Sequence, residues 1–202
     1  MRTREIAEHE TVSAWFSAAT AHPETATALW HENPHLPRRL GCGLTFDIVL
    51  SDRSLIEAAY RLLDQYEQPL GPAVLFSNLR HAAVLVPRGT GAGWYGLMAA
   101  SQWPERLPRP ACLGEGHAIL VPALVPRPTF GLVRWLVPPD GEQSVGGVPL
   151  LTSPVPLARC LSEAGALLAP VERTPLSRAV SAFRSVLPSS SVPSVLPSPK
   201  RT

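Results

Sequence analysis

The run Leu44-Thr45-Phe46-Asp47-Ile48-Val49-Leu50, followed by Ser51-Asp52, decides how the rest of the chain is read. Its apolar and β-branched content predicts a strand. Ser51-Asp52 then offers an N-cap, and Leu55, Ala59, Leu62, Leu63 and Tyr66 keep helical spacing to about Glu67. Pro69-Leu70-Gly71-Pro72 closes that helix. Ala73–Ser77 and His81–Val86 read as two further strands, and the short link Asn78-Leu79-Arg80 between them predicts a hairpin.

Upstream, residues 4–33 read as helical, with Ile6, Val12, Trp15, Phe16 and Ala19 as an apolar stripe. His22-Pro23 breaks the segment, because the residue before proline avoids the α region. A second helix is expected from Glu24 to His31, ending before Pro34. Gly41-Cys42-Gly43 is a turn. Downstream, Gly89-Thr90-Gly91-Ala92-Gly93 reads as a flexible loop and Trp94–Trp103 as a short helix. Pro104 to Pro110 is an extended connector. His117–Val121 and Leu132–Val137 are strands, Pro122–Phe130 is a loop, and Pro154–Leu168 is a helix. Helices first, then strand, helix, hairpin and further strands, make an α+β domain with a mainly antiparallel sheet. The expected division is one domain over residues 1–170, with a Ser/Pro-rich disordered tail over 171–202.

Composition narrows the function. The chain of 202 residues holds 23 prolines, about twice the usual share, which excludes a coiled coil or a bundle of long helices. Eighteen basic residues against 16 acidic leave a net charge of +2, too small to argue for a nucleic-acid partner by itself. Cys42, Cys112 and Cys160 are odd in number and widely spaced, so they are no disulfide framework and no zinc site. No apolar run reaches a membrane span, and the charged N-terminus is not a secretory signal. A reducing cytoplasm is the expected compartment.

Several residues carry candidate chemistry. Asp47 is an acid inside an otherwise apolar strand, where it is either a solvated or capped aspartate or holds a divalent cation. His81 opens the second hairpin strand and His117 the later one. Glu115 lies between Gly114 and Gly116, and Asp140-Gly141 is a turn. In His31-Glu32-Asn33-Pro34-His35, Pro34 keeps the two rings off one helical face. Gly89–Gly93 lacks the Gly-Lys-Ser/Thr of a P-loop, and no Gly-x-Ser-x-Gly elbow occurs. Trp94, Tyr95 and Trp103 suit core packing or base stacking. Arg38, Arg39, Arg106, Arg109, Arg127 and Arg134 are candidates for a phosphate-contacting patch.

The order of these pieces resembles the N-terminal domain of bifunctional DNA primase/polymerases, the prim-pol branch of the archaeo-eukaryotic primases, in a divergent form of the actinobacterial type. The resemblance runs from Trp30 to Gly43, through the strand Leu44–Val49 and the helix Arg53–Glu67, and on to Gly71-Pro72-Ala73-Val74. Arg80-His81-Ala82-Ala83-Val84-Leu85-Val86-Pro87 is similar to the family's histidine strand. Gly114–Pro122 and Gly131–Trp135 are similar to its closing strands. It covers about residues 10–140 and implies a primase-type α+β module with an RRM-like sheet flanked by helices.

The implied chemistry is nucleotidyl transfer by two divalent ions, Mg²⁺ or Mn²⁺, with DNA and nucleoside triphosphates as partners and a replication or helicase partner unknown. By the resemblance Asp47 and His81 are catalytic, Asp47 and Glu115 hold metal, and Arg80 and His117 contact nucleotide or DNA. The sequence departs from the pattern at Val49, where a second acid is expected, at Leu79, where a small hydroxylated residue is expected, and near Pro110 and Ala111, where a third acid is expected. The expectation is therefore a primase/polymerase-like protein with a degenerate metal site and reduced or no catalysis.

Two alternatives stand beside it: a non-catalytic nucleotide-, DNA- or protein-binding module, and an unrelated α+β domain. Catalysis requires Asp47 and His81 close together on adjacent strands, with another carboxylate nearby. One sheet through 44–50, 73–77 and 81–86 favours the prim-pol type; Asp47 and His81 on distant faces favour the unrelated domain.

Overall fold

In the computed structural model the structure describes residues 2–76, 80–125, 133–139 and 148–169, all within one compact unit, Met1–Ala169. The chain is α+β. Helices α1 (Arg2–Ser17) and α2 (Pro23–Glu32) precede strands β1 (Arg38–Gly41) and β2 (Phe46–Asp52). Then come α3 (Arg53–Gln65), β3 (Ala73–Phe76), β4 (His81–Pro87), α4 (Thr90–Ala100), β5 (Ala111–Leu113), β6 (Ala118–Val121), β7 (Val133–Val137) and α5 (Pro154–Leu168).

Five strands form one sheet in the order β5-β2-β4-β3-β7, and β1 pairs with β6 in a separate two-stranded ribbon. Every pairing is antiparallel. The segment β2-α3-β3-β4-α4-β5 is a βαββαβ unit with its strands in the order fourth, first, third, second, a split βαβ arrangement. The strands expected at 44–50, 73–77 and 81–86 therefore lie in one sheet.

Alternation along the strands loads both faces of the sheet, because successive side chains point to opposite sides. Val49, Ala73, Leu75, Ala82, Val84 and Val86 join Leu55, Ile56, Ala59, Leu63, Trp94, Met98, Leu157 and Leu161, a core beneath α3, α4 and α5. Phe46, Ile48, Val74, Ala83 and Leu85 join Phe16, Trp30, Leu40, Ile119 and Val121, a second core beneath α1, α2 and the ribbon. A sheet covered on both sides explains why its central strands read as nearly unbroken apolar runs. The second core is aromatic at its centre: Phe16 lies within 6.3 Å, ring centroid to centroid, of Trp15, Trp30, Phe46 and Trp135.

Two close approaches lock the layers. Tyr60 on α3 donates its hydroxyl to the Gly71 carbonyl at 3.0 Å, and Thr152 Oγ1 accepts the Gly71 amide at 2.9 Å. A side chain at Gly71 would place its Cβ 2.3 Å from the Thr152 nitrogen, so only glycine lets the strap before α5 lie against this turn.

Four local expectations need correction. The Gly89–Gly93 stretch is not a loop: Gly89 is the left-handed N-cap of α4, which begins at Thr90 and ends at Ala100. Strands β1 and β5 were not expected. The strand at Ala118–Val121 pairs with β1 rather than joining the main sheet. Asp52 does occupy the N-cap position of α3, but its side chain makes no capping bond. Residues 126–132, which hold the end of the expected loop with Arg127 and the start of the strand expected from Leu132, the expected turn Asp140-Gly141, Leu79 and the serine- and proline-rich tail lie outside the described residues.

Phe16 is fully buried among four aromatic rings. Phe16→Ala is expected to cost about 3–5 kcal/mol in equilibrium urea unfolding. A loss below about 1 kcal/mol would contradict the aromatic packing described here.

Candidate functional site

Asp47 sits on the second residue of β2, opposite Val86 of β4, and shares a sheet face with Val49, Val84 and Val86. That face is the one covered by α3, α4 and α5. Asp47 is 2% exposed and is the one charged side chain in the buried set of described residues. Burying a carboxylate is costly unless hydrogen bonds hold it. Here Oδ2 accepts the backbone N–H of Gly91, in the first turn of α4, at 2.9 Å.

The sequence of α4 explains why a carboxylate is wanted there. The helix reads Thr-Gly-Ala-Gly-Trp-Tyr-Gly-Leu-Met-Ala-Ala, with three glycines, each of which weakens a helix by about 1 kcal/mol. Its N-cap, Gly89, has no side chain to satisfy the free amides of the first turn. Asp47 supplies that acceptor from the sheet, and its negative charge lies at the positive end of the helix dipole. Trp94 fixes the next turn through its Nε1–H, which donates to the Pro110 carbonyl at 2.8 Å.

Gly114 makes the room: a Cβ there would lie 3.1 Å from Asp47 Oδ1, whereas one at Gly91 would meet Oδ2 at 3.5 Å, an ordinary contact distance. Oδ1 is buried and has no hydrogen-bond partner among the described residues. Cys42 and Cys112 lie close enough to feel the Asp47 charge. Burial first, and Asp47 second, push their thiols up to about 11 and about 12 respectively. Both stay protonated and unreactive at neutral pH.

The other expected residues divide between the two ends of the sheet. Glu115 and His117 are exposed on the loop that follows β5, at the Asp47 end. That loop is held by its backbone: the Cys42 amide donates to the His117 carbonyl at 2.9 Å, and a Cβ at Gly43 would lie 2.5 Å from the Glu115 nitrogen. Arg80 and His81 are at the opposite end, where His81 pairs with Asp52. The Arg80 carbonyl accepts the Arg53 amide at 2.6 Å. His81 Nε2 lies 3.8 Å from Asp52 Oδ1 on an open surface.

The expected closeness of Asp47 and His81 is not met. They are on neighbouring strands but five rungs apart, about 17 Å along the sheet, and the odd register step puts them on opposite faces. His81 opens β4, but the register turns it away from the acid. Of the candidate arginines, Arg38 is engaged within the fold. Arg38 Nη2 donates to the Leu29 carbonyl at 2.5 Å, at the C-terminal end of α2, and its guanidinium lies over Trp30. Arg38 is thus a helix-end cap.

These residues do not fit a two-metal centre. One Asp47 oxygen is taken by Gly91, the other is closed in by Gly114, and Glu115 faces solvent. Among the described residues no three His, Cys, Asp or Glu side chains are grouped to hold a metal ion. The residues that sequence reasoning missed are Gly89, the N-cap of α4, and Gly91, Gly114 and Cys112, which lie beside Asp47. Their signal was the glycine spacing on either side of the connector, read as loop.

Removing the carboxylate separates a cap from a metal ligand. Asp47→Ala is expected to lose about 1–2 kcal/mol in urea unfolding, while Asp47→Asn, which keeps an acceptor for Gly91, loses less than about 1 kcal/mol. An Asp47→Ala protein more stable than the parent would show that the carboxylate is kept at the expense of stability and is not a cap.

Comparison with family models, with curated proteins and with solved structures gives no match.

Proposed function

We propose that the chain is a primase/polymerase-like module that has given up nucleotidyl transfer and acts by binding. The observation that carries this reading is the position of Asp47. The residue that the resemblance assigns to the metal is sealed beneath α4 and holds its first turn. A phosphate-bound cation needs an open carboxylate beside the nucleotide, and Asp47 offers none.

The scaffold supports the prim-pol side of the reading. The βαββαβ unit, the hairpin with its histidine at the start of the second strand, and a separate N-terminal layer of helices and ribbon follow the order of the resembling motifs. No helix among the described residues is long and apolar enough to cross a membrane. DNA or nucleotide would meet exposed arginines such as Arg39, Arg109 and Arg134, through phosphate contacts that weaken with salt.

A second reading, an α+β domain unrelated to prim-pol, is favoured by Asp47 and His81 lying on opposite faces.

Two assays on the full chain distinguish the readings. Primer extension and de novo synthesis in Mg²⁺ and Mn²⁺ are expected to yield no product above an Asp47→Ala control; synthesis that vanishes in the variant would overturn the proposal. Anisotropy titration of labelled single-stranded DNA is expected to show binding that falls by about tenfold or more between low and physiological salt. With no binding of DNA or nucleoside triphosphate, the unrelated-domain reading takes its place.

A further inference from the structure

A hollow of about 340 Å³ opens between the end of α3 and the first half of α5, a volume within the lower range of small-ligand sites. It is lined by Tyr66, Gln68, Val155, Pro156, Arg159 and Cys160. The lining is mostly apolar, and Tyr66 and Val155 are 41% and 61% exposed.

The tyrosine wall is fixed in place. Its hydroxyl donates to Glu163, with Oε1 at 3.0 Å and Oε2 at 3.1 Å. Its carbonyl accepts the Gln68 side-chain amide at 3.1 Å. Glu67 next to it adopts a left-handed backbone with φ 53°, an uncommon conformation for a residue with a side chain. The turn ends α3 abruptly and leaves the Tyr66 ring facing α5. The Arg159 guanidinium lies 6.0 Å from the ring centroid.

This arrangement separates the charges. Glu163, one helical turn along from Arg159, is turned to the Tyr66 hydroxyl, and Arg159 makes no ion pair with an acid among the described residues. A guanidinium with no ion-pair partner among the described residues, able to grip a carboxylate with two parallel hydrogen bonds, thus stands beside an apolar hollow with a pre-set aromatic wall.

We propose that this hollow binds a small carboxylic acid with a compact apolar body, the carboxylate on Arg159 and the body against Tyr66, Val155 and Pro156. The site is independent of the Asp47 region and of the reading given to it. Its volume suits a single ring or a short branched chain.

The test uses the full chain labelled with ¹⁵N and titrated with phenylacetate, with the neutral isostere phenylacetamide in parallel. Phenylacetate is expected to shift the amides of Tyr66, Gln68 and Arg159 saturably, with a Kd in the millimolar range typical of so small a ligand. Phenylacetamide is expected to bind about tenfold more weakly, for want of a charge-assisted hydrogen bond. Arg159→Met, at an exposed position, is expected to erase that difference. Val155→Trp, also exposed, is expected to fill the hollow and weaken both probes. Equal affinities for the two probes, an unchanged preference in Arg159→Met, shifts centred elsewhere, or no saturable shift up to about 20 mM would each overturn the proposal.

Discussion

The bond from the Gly91 amide to the Asp47 carboxylate joins the main sheet to its least self-sufficient helix. Three glycines and a glycine N-cap leave α4 with little tendency to form alone. The helix exists because Trp94 and Met98 bury one side of it and Asp47 takes up its first turn. In exchange, the helix dipole and amide offset the cost of burying the charge. Each side of the arrangement depends on the other. Gly114 follows from it, because a side chain there would crowd the carboxylate.

The same bond bears on function. A catalytic carboxylate must be free to reach a cation and to share it with a substrate phosphate. Asp47 has one oxygen committed and the other enclosed. The register of β2 on β4 then separates it from His81, because a strand reverses faces at every residue and the two are an odd number of steps apart. No side-chain rotation repairs a separation of five rungs. The α+β fold is present, but its geometry does not bring Asp47 and His81 together for the chemistry that the resemblance implies.

Where local pattern and tertiary need agreed, the fold was legible. The apolar β2 run, the spaced leucines of α3, the hairpin strands and α5 all stand where periodicity and turn residues put them. The misses share a cause. Strand β5 is three residues, Ala111-Cys112-Leu113, after a proline-rich stretch; it has no period of its own and exists because β2 offers an edge. Strand β1 carries Arg38 and Arg39, and its burial rests on Leu40. The start of α4 reads as a loop because its stability comes from a residue 44 positions away. The site divides in the same manner. Asp47 could be singled out as an acid in an apolar strand, but whether it faced an open cleft or a helix end was decided by register and by glycines distant in sequence.

Native-state hydrogen exchange at the Gly91 amide tests the central claim most directly. In the parent protein this amide is expected to be protected well beyond the other amides of the first turn of α4. Asp47→Ala is expected to remove that protection and to leave amides in β3 and α1 unchanged, while His81→Ala leaves Gly91 protected. An unprotected Gly91 in the parent, or protection that survives Asp47→Ala, would contradict the account and return Asp47 to the list of residues free for chemistry.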